Sequence, residues 1–147
     1  MPSPSELDSL LDHPWILRTY APVYVMRFPA EPDDATLDAF CAARERWAQR
    51  ARFSCAWVCD MSQLRTMPSA KQRRMFAEHL GRFEPHDVAW NHGSAIVAPN
   101  AVIKGALTAV FWMAPPKFPN QAFGSFDDAL AWAKAQLAAP MSERAAG

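Results

Sequence analysis

The stretch from Phe53 to Leu80, FSCAWVCDMSQLRTMPSAKQRRMFAEHL, restricts what this chain can fold into more than any other. It opens with a compact apolar run, Phe53 to Cys59, that stops at an acid, Asp60. The run is apolar on both faces, as a central strand covered by helices on both sides would be. A turn-rich link leads to Ser69, which predicts an N-cap for a helix from Ala70 to about Phe83. In that helix Met75, Phe76, His79, Leu80 and Phe83 recur at helical spacing and form the expected buried stripe. Strand, loop and helix together are the half-unit of α/β sheets, and loops at the carboxyl edge are where such sheets bind ligands.

The flanking sequence repeats the unit. Residues 1–13, with Pro2, Pro4 and several Ser and Asp, read as a flexible leader with room for one helical turn. Trp15–Tyr20 and Val23–Phe28 read as two strands joined through Ala21-Pro22; Val23, Val25 and Arg27 share one face, and Tyr24, Met26 and Phe28 the other. Asp33 or Asp34 caps a helix to about Arg50, with Leu37, Phe40, Cys41, Arg44 and Trp47 at helical spacing. Its exposed face is expected to carry Arg44, Glu45, Arg46, Gln49 and Arg50, a solvated face rather than a basic binding patch.

Beyond the central unit, Gly81 to Asn91 reads as a polar link and Gly93–Ala98 as a second central strand. Asn100 caps a helix from Ala101 to Met113 that Ala114-Pro115-Pro116 ends, with Val102, Ile103, Ala106, Leu107, Val110 and Phe111 on its inner face. Gln121–Phe123 is extended, and Ser125 starts a last helix with apolar positions at Phe126, Ala129, Leu130, Trp132, Ala133 and Leu137. The expectation is one α/β domain over 14–139, a mixed sheet of about five strands in the order β-β-α-β-α-β-α-β-α, and a disordered tail at 140–147.

Composition excludes several classes. At 147 residues, half of them apolar, the chain can bury a core without metal or disulfides. Fifteen acidic residues balance fifteen basic ones, which supports neither a nucleic-acid nor a membrane-surface role and leaves a homodimer open. Three cysteines, Cys41, Cys55 and Cys59, with no secretory signal, predict reduced thiols in a cytoplasmic protein. No apolar stretch approaches the roughly 20 residues of a membrane span.

The run Asp60-Met-Ser-Gln-Leu-Arg-Thr-Met-Pro-Ser-Ala resembles the STAS and SpoIIAA-like group of anti-sigma-factor antagonists, in which Asp-Leu-Ser is followed, a few residues on, by Asp-Ser-Ser-Gly at a helix start. Here Pro68 stands for the second Asp, Ser69 matches the first Ser, Ala70 replaces the second and Lys71 replaces the Gly. The closing FGSFDDALAWAKAQL also resembles the end of the SpoIIAA-like subgroup, and the likeness spans about residues 15 to 138. It implies a non-enzymatic regulatory module that binds proteins or small apolar ligands, without a cofactor. It also implies a phosphorylatable serine at the helix start, although the usual acceptor is the second one, replaced here by Ala70.

Each candidate site residue has a structural role competing with a functional one. Asp60 either binds a ligand at the strand end or caps the following turn. Ser62 and Thr66 are ligand-loop or turn residues, Ser69 is an N-cap or a phosphosite, and Lys71 completes the loop surface. His13, His79, His86 and His92 form no zinc spacing; His79 is expected in the core, and His86 and His92 flank a loop near Asp87. Cys55 and Cys59 lie about 13 Å apart along a strand, too far for a disulfide, and read as buried thiols. Trp112, Met113 and Phe118 are a possible apolar patch, serving as a partner surface or the lid of a ligand pocket. An apolar cavity would favour a carrier of a small apolar or lipid-like ligand; a flat patch near Ser69 would favour a protein-interaction module.

Overall fold

The side-chain alternation along Val23–Arg27 decides which helix covers which face of the sheet. The computed structural model describes residues 3–141. Its elements are α1 (Pro4–Leu7), a 3-10 turn (Asp8–Leu11), β1 (Ile16–Leu17), β2 (Val23–Arg27), α2 (Asp34–Arg50), β3 (Cys55–Asp60), α3 (Ala70–Trp90), β4 (Asn91–Val97), α4 (Ala101–Met113), β5 (Asn120–Phe123) and α5 (Phe126–Ala138). They form one α/β domain around a mixed sheet of order β1-β2-β3-β4-β5. Only β1 is antiparallel, pairing Ile16 with Met26 and Leu17 with Val25; β2 to β5 are parallel.

Parallel strands added in one direction, with crossovers of one hand, put all the crossover helices on one face. That face carries Tyr24, Met26, Phe28, Cys55, Trp57, Cys59 and Ile96, packed under α2, α3 and α4. The other face, with Val23, Val25, Ala56, Val58, Ala95 and Val97, is covered by α5 through Ala129 and Ala133. Gly93 follows from this cover: a Cβ there would stand 3.0 Å from the Trp132 ring of α5.

Three expectations are corrected. The leader is not loose from Ser3 onward: Leu7 and Leu11 are buried in the core, and the Tyr24 hydroxyl donates to Asp8 Oδ1 at 2.7 Å. Ser3 and Glu6 form a capping box, the local signal for this turn. Met1 and Pro2, and the tail from Ser142, lie outside the described residues.

The second correction concerns 81–91, which is not a link: α3 continues through Pro85 to Trp90. Proline costs a helix its bond to the carbonyl four residues earlier. Gly81 and Pro85 both lie on the exposed side, so the freed acceptor is open to solvent, while Phe83, His86 and Asp87 are buried opposite. Third, Arg44 is not on the exposed face of α2. It is buried, and it organises the interior described below.

Candidate functional site

At the end of β3 the backbone turns into the 61–69 loop, and Asp60 is what holds that turn. Its side chain is 3% exposed; Oδ2 accepts from Arg27 Nε at 2.8 Å and Oδ1 from the Ser62 backbone N–H at 3.0 Å. By strand alternation it points to the α5 side, where the Arg27 guanidinium also lies over Phe126. Asp60 is therefore engaged as a turn cap and ion-pair partner. Ser62 and Thr66 are exposed, Ser69 caps α3 in a reciprocal box with Gln72, and Lys71 pairs with Asp34 at 3.2 Å.

The same loop turns its apolar side chains inward. Met61 and Leu64 are buried and, with Pro68, roof a cavity of about 70 Å³. Its floor is Phe28 and Cys59 of the sheet region, one wall is Phe76 of α3, and the other is Ile103, Ala106, Leu107 and Val110 of α4. Gln72 and Arg73, at its rim, are already committed. Gln72 donates to Pro32 O at 2.8 Å and to Asp34 Oδ1 at 3.1 Å, and Arg73 donates to the Pro68 carbonyl. Arg65 N–H to Ala30 O, at 3.0 Å, pins the loop further. What remains inside is almost wholly apolar, as a site for a hydrocarbon group requires.

A second chamber of about 30 Å³ adjoins the first, sharing Cys59, Phe76 and Leu107. It differs in carrying polar groups: Arg44, Asp87 and Ser94 line it among Met26, Ile96, Phe111 and Phe118. Arg44 is 3% exposed, and its guanidinium carbon sits 4.0 Å from the Phe83 ring centre and 4.3 Å from that of Trp57. Such stacking on aromatic faces contributes about 2 kcal/mol when desolvated. Arg44 Nη1 lies 2.7 Å from His79 Nε2, and His79 Nδ1 lies 2.9 Å from Glu45 Oε2, which Arg82 also holds.

That chain assigns the tautomer. A guanidinium can only donate, so His79 Nε2 accepts and Nδ1–H donates to Glu45. A second proton on His79 would face the Arg44 N–H. Burial and the Arg44 charge accordingly pull His79 down to about 3. Burial raises Glu45, but hydrogen bonds from Arg82 and His79 outweigh this and hold it below the usual range. Burial lowers Arg44 as well, opposed chiefly by the negative charge of Asp87.

Sequence reasoning missed this cluster because Arg44 and Glu45 read as a solvated face. Its signals were His79, expected in the core and found there, and Arg44 falling in register with Phe40, Cys41 and Trp47.

The remaining candidates separate. Trp112 is 81% exposed and Met113 53%, whereas Phe118 turns inward to line the second chamber. Val102, expected inside, is 60% exposed, and the buried residues of α4 are Ile103, Ala106 and Val110. His92 Nδ1 lies 2.9 Å from Ala139 O and 3.1 Å from Gln136 O, and so donates to the carboxyl end of α5. Cys59 borders both chambers, but burial pushes its thiol up to about 12, so it carries no thiolate at neutral pH. Among the described residues no three His, Cys, Asp or Glu side chains are grouped to hold a metal ion. None of their helices is long and apolar enough to cross a membrane. Comparison with family models, with curated proteins and with solved structures found no match.

Proposed function

We propose that the chain binds a small apolar ligand between α3 and α4, beneath the 61–69 loop. The observation that carries this reading is the apolar cavity itself, walled on one side by a helix whose contacts are chiefly with α3. A space of about 70 Å³ is about half that of an engineered cavity that takes up benzene. It accommodates a short hydrocarbon group at rest, and a longer ligand requires α4 to move outward. The loop that forms the roof is pinned to Ala30 and the rim, through Gln72, to Pro32 and Asp34, so α4 is the element that yields.

Methyl NMR of the purified protein titrated with hexane tests the reading. Shifts confined to Met61, Leu64, Ile103 and Leu107 support it; shifts spread over the surface, or none, overturn it.

The outer face of α4 favours a second reading, the protein-interaction module implied by the STAS-like resemblance. Val102 at the start of α4 and Trp112 and Met113 at its end are exposed, whereas the 61–69 loop turns its own apolar residues inward except for Met67. Docking would then use α4 rather than Ser69 and its neighbours. Sedimentation of wild type and Trp112→Ser distinguishes one form of it: loss of a dimer in the variant places a contact between copies on α4.

A further inference from the structure

We infer that the second chamber receives the uncharged, hydrogen-bond-accepting head of the ligand, a ketone, ester or amide carbonyl, with Arg44 and Ser94 as donors. This rests on the apolar-ligand reading of the adjoining cavity and adds a head to its tail.

Size is the first constraint. About 30 Å³ is about a fifth of the engineered cavity that takes up benzene, a space suited to a compact group such as a carbonyl rather than to a phosphate or a sugar. Donor inventory is the second. A guanidinium carries five N–H donors; Arg44 Nη1 is engaged with His79, while its Nε is buried without a partner. Ser94 Oγ accepts from Asn91 Nδ2 at 3.1 Å, which leaves its O–H as a donor. An alkyl group placed here would leave these donors dry and unpaired, so the chamber selects against a pure hydrocarbon end.

Charge is the third constraint, and it separates a carbonyl from a carboxylate. Arg44 is permanently cationic, and Asp87 lines the same chamber as its principal opposing charge. Glu45, on the far side of His79, is matched by Arg82 at 2.6 Å. With Asp87 and Glu45 ionised, the two carboxylates balance Arg44 and Arg82. A ligand carboxylate would leave one net negative charge in a low-dielectric interior, whereas a neutral acceptor meets the donors without adding charge. Cys59 and Phe76, common to both chambers, set the junction where head becomes tail.

The test compares hexane, 2-hexanone and hexanoate as ligands of the wild-type protein and of Arg44→Met, by NMR titration. Methionine fills much of the same volume but leaves Asp87 without its opposing cation, so the variant should lose stability, and its fold is checked before titration. In wild type 2-hexanone should bind more tightly than hexanoate. In Arg44→Met its affinity should fall about tenfold, the equivalent of one hydrogen bond to a charged donor, while hexane changes less than about twofold. Should Arg44→Met not fold, the Arg44 Nε–H resonance of wild type gives the same answer. It should shift on adding 2-hexanone and stay in place with hexane.

Tightest binding by hexanoate, an equal loss for all three ligands in the variant, or an unmoved Arg44 signal would each overturn the head assignment while leaving the apolar pocket intact. Failure of all three ligands to bind wild type would remove the pocket reading and the head assignment together.

Discussion

Filling the larger cavity from α4 should stabilise the protein and abolish ligand binding at the same time. Ala106 is buried on the inner face of α4 and lines the space, so Ala106→Leu directs three more carbons into it. At about 0.8 kcal/mol per buried methylene, the gain has an upper bound of about 2.4 kcal/mol. Taken as cavity removed, about 70 Å³ at roughly 24 cal/mol per Å³ gives about 1.7 kcal/mol. Imperfect fit against Leu64 and Pro68 subtracts from both figures, leaving an expected gain of about 1 kcal/mol and a melting point a few degrees higher.

Urea denaturation should show a raised midpoint with an unchanged slope, and hexane affinity should drop at least tenfold. Gly105→Ala is the control. A Cβ at Gly105 meets nothing within 4 Å, so this change should add about 1 kcal/mol through helix propensity and leave ligand binding as it was. An Ala106→Leu protein with unchanged or lower stability and undiminished hexane binding would refute the reasoning. The cavity would then be neither rigid enough to fill nor the place where ligand sits.

Three further outcomes follow from the same geometry. Asp60→Ala removes the partner of Arg27 and the acceptor of the Ser62 N–H; it should cost about 2 kcal/mol in denaturant melts yet leave hexane affinity unchanged, and a loss of binding in a folded variant would return Asp60 to the ligand site. Ser69→Ala deletes the α3 cap and should cost about 1 kcal/mol, read by the same melts; no loss would mean the capping box is idle. Stability should fall on acidification from about pH 6.5 toward pH 4, because the unfolded chain protonates histidines that the fold keeps neutral. His79 is pulled down to about 3, and His86 to about 4 through burial and the nearby charges of Arg44 and Arg52. Both folded values lie below the unfolded one, so the contribution is complete above pH 6.5 and shrinks by at most about 1.4 kcal/mol per pH unit for each histidine. Melts of His79→Gln against wild type from pH 4 to 7 should show a shallower slope in the variant, and identical slopes would sink this account.

Much of the architecture was legible because its causes are local. The two faces of β2 follow from strict alternation, and the caps Asp33, Ser69, Asn100 and Ser125 each accept a backbone N–H at the helix starts. Proline was the least reliable guide. Pro115 and Pro116 follow the end of α4, yet Pro85 lies inside α3, because the buried faces of His86 and Asp87 hold the helix beyond it. Of the candidate site, Asp60 and Ser69 were legible as turn and cap, and Phe118 as apolar. That Met61, Leu64 and Pro68 close over a cavity was not, because nothing in a loop's sequence says which way its apolar residues turn.

By itself, then, the sequence determined the order of the five strands and the helices between them and the central place of the Phe53–Leu80 unit, though not the full length of α3, since periodicity, capping and turn chemistry act within a few residues. Only the tertiary structure decided what the interior contains. Arg44 and His79 are 35 positions apart and meet only when α2 and α3 pack on the same face of the sheet. The two chambers exist only because α4 rests mainly on α3 and does not close fully onto the strands below it. A buried cation and an unfilled volume are both properties of how distant surfaces fit, and no local pattern encodes that fit.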